Sequence, residues 1–162
     1  MAQAEKAQPV RYRGRWATGV KYRDGSRQKC DLCYGREDDW DLVVEVKMIG
    51  MLGDNGKPND NLPTHILSPY QKHRSALTDC TKLLASGLGE RKAILIYGYE
   101  YDEFPLEPLV EAFELLATQQ VNLGPRLEAE FEGLASTRCR DGLGAATDRT
   151  GCRRGILGYD LT

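Results

Sequence analysis

Residues 41–48, DLVVEVKM, constrain the fold most, because they alternate with a period of two: Leu42, Val44, Val46 and Met48 fall on one face of an extended strand, and Asp41, Val43, Glu45 and Lys47 on the other. The second face then carries a carboxylate and an ammonium side by side. Burying an isolated charge costs several kcal/mol unless it is paired, hydrogen-bonded or given a metal. Either this strand lies at an edge facing water, or Glu45 and Lys47 serve a chemical purpose.

The flanking sequence supplies partners for such a strand. In RWATGVKYRDGSRQKCDLCYGR, two strand-like runs meet at Asp24-Gly25-Ser26, a composition that reverses the chain tightly. REDD then turns the chain into DLVVEVKM, so three successive antiparallel strands are expected. GMLGDNGKPNDNLPTH is too rich in Gly, Asn, Asp and Pro for regular structure. Ser68-Pro69 signals a helix whose apolar stripe is Ala76, Leu77, Cys80, Leu83 and Leu84, ending near Gly87 and Gly89.

KAILIYGY is the most apolar run and reads as a central strand covered on both faces. A second helix is expected over Leu106 to Gln120, with Leu109, Val110, Phe113, Leu116 and Ala117 on one side. RLEAEFEGL alternates as a strand with Glu128, Glu130 and Glu132 outward, and RRGILGYDL follows a Gly-rich loop as a final strand. The order βββ-α-β-α-β implies an α/β fold, a mixed sheet flanked by helices, in one domain over residues 1–162.

Composition narrows the class. No stretch approaches the 18 or so apolar residues of a membrane helix, and MAQAEKAQPVRYRGR lacks the apolar segment of a secretory signal, so a cytoplasmic protein with no membrane partner is expected. The net charge of −2 divides unevenly: residues 1–30 hold eight Lys/Arg against two acids, residues 31–135 nine against nineteen, and residues 136–162 five against three. Basic ends of this kind lie against phosphate backbones or are simply solvated. Five cysteines, an odd number, read as reduced thiols. Cys30 and Cys33 have zinc half-site spacing, with Cys139 and Cys152 as distant partners. An extended strand would nonetheless point the first two to opposite faces.

Asp31 lies in the strand before DLVVEVKM. Folding the hairpin brings Asp31 and Glu45 together at one end of the sheet with Lys47 adjacent. Two carboxylates suit a hard divalent cation, most naturally Mg²⁺, with Mn²⁺ as a substitute. A lysine beside that cation orients or deprotonates a water and steadies a phosphate's negative charge. The opening question then has an answer in which metal, carboxylates and ammonium neutralise one another.

Asp31, Glu45 and Lys47, with the helix SPYQKHRSALTDCTKLLAS and the strand AILIYGY after them, resemble the PD-(D/E)XK nuclease superfamily, the restriction-endonuclease-like fold. GDNGKPNDN, HILSPY and HRSALTDC are similar to segments of small uncharacterised bacterial proteins of that type. The resemblance implies a Mg²⁺-dependent endonuclease acting on DNA. Asp31 and Glu45 would be metal ligands, the Val46 carbonyl a further oxygen ligand, and Lys47 the residue that orients water. The family's opening helix, which often adds an acid, could form only from Met1 to Val10, where Glu5 is the sole carboxylate.

Glu-x-Lys alone is weak, since it arises by chance about once in a chain of this size. Glu90-Arg91-Lys92 has the same spacing but lies in a turn, with no hairpin partner bearing an acid. Strand-turn-strand context carries the inference. Asp41 is about 13 Å from Glu45 along an extended strand, too far to replace Asp31 on one metal. Asp38, Asp39 and Asp41 read as a solvated turn.

His73 fits a partly buried structural role or that of a base. Arg74 and Lys82, with Lys57 in the polar loop, are expected to meet the phosphate backbone, the alternative being surface salt bridges to neighbours such as Asp79. GDNGKPNDN lacks the acid at position twelve of a calcium loop and reads as a mobile loop beside substrate. Trp16, Tyr12 and Tyr22 suit either base stacking or core packing. With no separate recognition domain, sequence specificity would come from loops or from a homodimer. A different class of function, a nuclease-fold module that binds nucleic acid or protein without cleaving it, fits the same sequence; metal uptake discriminates the two.

Overall fold

A computed structural model describes residues 15–25, 27–37, 39–52, 57–100, 105–130 and 153–162. The Asp24-Gly25 turn joins β1 (Trp16–Lys21) to β2 (Lys29–Arg36), paired antiparallel from Trp16↔Tyr34 to Lys21↔Lys29. β3 (Asp39–Gly50) pairs antiparallel with β2 from Leu32↔Val44 to Arg36↔Asp39, completing the three-strand meander that the turns dictate. The register slips at Tyr34/Gly35. There Gly35 has φ +133°, and an added Cβ would stand 2.6 Å from the Asp41 nitrogen, so the slip requires glycine.

From β3 the chain crosses over through helices to β4 (Arg91–Glu100), which pairs parallel with β3, Glu45 opposite Ile94 and Lys47 opposite Ile96. β6 (Arg153–Leu161) pairs antiparallel with β4, and β5 (Leu127–Glu130) closes the far edge on β6. The mixed six-stranded sheet has the order β1-β2-β3-β4-β6-β5. β4 is central, as its apolar run requires. Its two faces differ: Ile94 and Ile96 are fully buried, whereas Ala93, Leu95 and Tyr97 are half-buried, so coverage on both faces is unequal.

Among the described residues three helices supply the cover: α1 (Leu62–Leu67), α2 (Ala76–Ala85) and α3 (Glu107–Ala117), with a 3₁₀ turn at Gln71–His73. α2 packs on β3 and β4, α1 on β3, and the helices on one another. Leu77, Leu83 and Phe113 join Val43, Ile94, Ile96 and Tyr159 in one apolar cluster. Among the described residues no helix is long and apolar enough to cross a membrane.

Helix boundaries depart from the sequence reading. Ser68-Pro69 does not open α2: proline disfavours the helical region for the residue before it, and Ser68 is extended (φ −66°, ψ 128°), closing α1, which begins inside the supposed loop. α2 starts seven residues later, at the N-cap Ser75, whose hydroxyl accepts the Thr78 N–H at 3.1 Å. Loop residues 53–56 lie outside the described residues, as do the proposed opening helix with Glu5, and Tyr12, Asp38, Cys139 and Cys152. The loop's base is pinned where the Asn59 N–H donates to the Met51 carbonyl at 3.0 Å and the Asn59 side-chain amide to the Gly50 carbonyl at 3.1 Å.

Candidate active site on the β2–β3 hairpin

β3 inverts the expected division of labour between its faces. Val43 (0 % exposed), Glu45 (4 %) and Ile49 (1 %) form its most buried face, whereas Met48, on the face that looks purely apolar, is 56 % exposed. Glu45 and Lys47 therefore point with Val43 toward α2. Such a position demands partners, and α2 supplies them.

Asp79 is the central one. Its carboxylate, 3 % exposed, holds one lysine on each oxygen: Lys47 Nζ is 2.6 Å from Oδ2 and Lys82 Nζ 2.7 Å from Oδ1. Lys47 also donates to the Arg74 carbonyl at 2.7 Å. Lys82 reaches on toward the sheet, 3.2 Å from Glu45 Oε1 and 5.4 Å from the centre of the Tyr22 ring. The Tyr22 hydroxyl donates to the same Glu45 oxygen. Two acids and two ammoniums thus form an alternating, charge-neutral chain between strand and helix: Glu45, Lys82, Asp79, Lys47.

The electrostatics follow from that order. Burial pushes the Glu45 carboxyl above its usual range against the pull of Lys82, and the Asp79 charge adds to the rise. Burial also opposes the Lys82 charge, but the Asp79 and Glu45 carboxylates outweigh it and hold the ammonium above the ordinary lysine range.

Asp31 occupies a different position relative to the sheet. One step beyond the Leu32↔Val44 pair, β2 stops following β3, and the Asp31 side chain takes the place of a backbone acceptor: its Oδ2 receives the Val46 N–H at 2.9 Å. In an extended strand the N–H and C=O of one residue leave by the same edge, so the Val46 carbonyl faces this gap too. Asp31 is exposed, and its Oδ1 has no hydrogen-bond partner among the described residues. The same holds for Glu45 Oε2. Carboxylate and carbonyl oxygens are the donors that hard divalent cations take, and Asp31, Glu45 and the Val46 carbonyl are of that type. Among the described residues no three His, Cys, Asp or Glu side chains gather as a metal cage, so any such site would draw on main-chain oxygen or water.

Cys30 and Cys33 are both fully buried, with the Cys30 sulfur 3.3 Å from the Val44 carbonyl oxygen and 3.4 Å from that of Leu32. Contact with the Cys30 sulfur, helped by burial, raises the Cys33 thiol's pKa, and the same contact draws that of Cys30 down. Cys30, Cys33 and Cys80 are free thiols.

The remaining expected residues have varied surroundings. Arg74 is exposed, in the left-handed region at φ 48°. Lys57 is exposed at the base of its loop. His73 is partly buried, and its Nδ1 is 2.6 Å from the Ser68 hydroxyl. Asp41 is exposed and pairs with Arg15 at 2.9 Å. Trp16 packs on Tyr34, ring centres 4.9 Å apart, while Tyr22 is buried against Glu45.

Beside the charge chain an open polar cleft of about 210 Å³ lies between the β1–β2 turn and α2, lined among others by Gln28, Gln71, Arg74, Thr81, Asp79 and Lys82. Asp79 is the site residue that sequence reasoning treated only as a salt-bridge neighbour. Its signal is its register: three residues after Ala76 and four before Leu83, it is a carboxylate on the buried stripe of α2. No protein-family model, no curated protein and no solved structure matches the chain.

Proposed function

We propose that the chain is a metal-dependent phosphodiesterase acting on DNA, with the restriction-endonuclease-like core that the sequence resembles. The observation that carries this reading is the hydrogen bond from the Val46 N–H to Asp31, because it brings a carboxylate from β2 against the Glu45-Val46-Lys47 backbone of β3. The antiparallel meander, the crossover through α2 and the parallel return in β4 add the strand context that a bare Glu-x-Lys lacks.

In this reading Asp31, Glu45 and the Val46 carbonyl hold Mg²⁺ or Mn²⁺, and Lys47 orients the attacking water. The bound cation would act as a Lewis acid on a phosphate oxygen and lower the pKa of a coordinated water. Hydrolysis of a phosphodiester needs a barrier reduction on the order of 20 kcal/mol, so the residues must be fixed before substrate arrives. Asp79 and the Arg74 carbonyl provide that fixation for Lys47. Arg74, Lys82 and Lys57 would meet the phosphate backbone.

Supercoiled plasmid incubated with purified protein and Mn²⁺ tests the reading. Nicking or linearisation that disappears in Asp31→Ala and Glu45→Gln proteins that remain folded at the assay temperature supports it; a wild-type chain that leaves plasmid and single-stranded DNA alike intact refutes it.

One observation favours a second reading, a module of this fold that binds without cleaving. Lys47 and Lys82 are both engaged by Asp79, and Glu45 by Lys82 and Tyr22, so the buried charges are balanced without a metal. Absence of Mn²⁺ uptake in a folded protein that binds DNA selects this reading.

A further inference from the structure

The cleft beside the charge chain is chemically unlike a groove that holds only a phosphate backbone. Arg74 and Lys82 line it, but Asp24 and Asp79 offset them, and the other polar side chains on its wall are neutral: Gln28, Gln71, Thr78 and Thr81. The Thr78 and Thr81 hydroxyls donate to the Ser75 and Thr78 carbonyls, whereas the amides of Gln28 and Gln71 are the kind of group that pairs with the donor and acceptor edges of nucleobases. At about 210 Å³ the cleft is smaller than the ~300–1,000 Å³ of drug-sized sites and has room for one planar ring.

Next in the chain to a residue of its wall is an exposed aromatic side chain. Tyr70, 64 % exposed, directly precedes Gln71 of the cleft wall, about 3.8 Å along the backbone. Its ring is met edge-on by His73, with centres 5.7 Å apart at 77°, and the Lys72 ammonium lies 6.0 Å from its centre. The Tyr70 N–H is tied to the Ser68 hydroxyl at 3.3 Å. An exposed aromatic ring with a cation beside it, and an amide next to it in the chain, is the combination that binds unpaired bases. Duplex DNA is read differently, by an element that protrudes into a groove, and here the polar groups line a cleft.

We propose that the substrate of this site is a single-stranded stretch of nucleic acid, one unpaired base stacking on Tyr70 and the next nucleotide entering the cleft between Gln71 and Lys82. The inference rests on the phosphodiesterase reading for the cleavage step, but strand recognition is measurable without it.

Fluorescence anisotropy in EDTA, where no metal-dependent cleavage occurs, would compare a labelled oligonucleotide of about a dozen nucleotides with its duplex. The single strand should bind at least tenfold more tightly. Tyr70→Ala should weaken single-strand binding by about tenfold or more, the size of one lost base–aromatic stack, while leaving duplex binding and melting temperature unchanged, and Tyr70→Phe should restore it. Equal or tighter binding of duplex, binding of neither, or an unaltered Tyr70→Ala protein overturns the proposal. The two readings fail separately: a wild-type protein that nicks plasmid yet shows no strand preference sinks this inference alone. One that binds single strands through Tyr70 but cleaves nothing with Mn²⁺ sinks the phosphodiesterase alone.

Discussion

Lys82 reaches from α2 to within 3.2 Å of Glu45 on β3, so this buried carboxylate of the sheet is answered by a helix. Removing one partner of such a pair strands the other in a dry environment, and the loss then exceeds the value of the pair itself.

Lys82→Met should therefore destabilise the protein by about 3 kcal/mol in urea unfolding, with the slope unchanged. Adding Glu45→Gln should restore part of that loss, since the stranded carboxylate is gone. A double variant as unstable as the sum of the two singles would show that the two side chains do not interact.

Asp79→Asn keeps the shape of the side chain but removes the charge that both lysines share. It should destabilise more than Lys47→Met, and a double-mutant cycle between positions 47 and 79 should return a coupling of about 1 kcal/mol or more. Zero coupling would place Lys47 on the Arg74 carbonyl alone.

In a protein shown to cleave DNA, Lys47→Ala should remove most turnover and leave metal and DNA binding nearly intact, whereas Glu45→Ala should weaken metal uptake. Full cleavage by a well-folded Lys47→Ala protein would refute its role in orienting water.

Acid titration should report a second cluster, away from the site. The Arg126 guanidinium, bonded to both Glu114 oxygens at 2.7 and 2.8 Å, holds the Glu114 carboxyl below its ordinary value of 4.5. A carboxyl with a folded pKa below its unfolded one binds fewer protons when folded, so its contribution is complete above about pH 4.5 and is lost as pH falls through the depressed folded value. The melting-temperature gap between wild type and Glu114→Gln should close on acidification over that window. Glu45, raised by burial, has the opposite sign: its ionisation costs stability as pH rises through its folded pKa. A gap for Glu114→Gln that widens in acid would contradict the Arg126 assignment.

Much of this architecture is written in local patterns. Period-two alternation with Asp24-Gly25 marks β1 to β3, and the unbroken apolar run marks β4, because strand geometry translates directly into side-chain alternation. Two serines compete as helix starts, and choosing between them needs the Pro69 constraint weighed against the Ser75 cap. The face of β3 that is buried was not legible, since Val44 and Val43 are equally apolar and only the position of α2 decides between them. Asp79 is hidden for a related reason: its meeting with Lys47 is a tertiary contact that a helix-surface reading assigns to solvent. Asp31 was legible as a residue, but its bond to the Val46 N–H arises from the parting of two strands, which no periodicity encodes.

The parallel pairing of β3 with β4 joins Leu42 to Arg91, with α1 and α2 contained in the intervening loop. Loop-closure entropy must be met before such a contact stabilises anything, so this pairing belongs to the late, slow part of folding. Until it forms, α2 lacks the part of its docking surface that β4 supplies and has only β3 and the other helices to rest on. The final placement of Asp79 and Lys82 against Glu45 and Lys47 is therefore a property of the completed sheet and not of the hairpin alone.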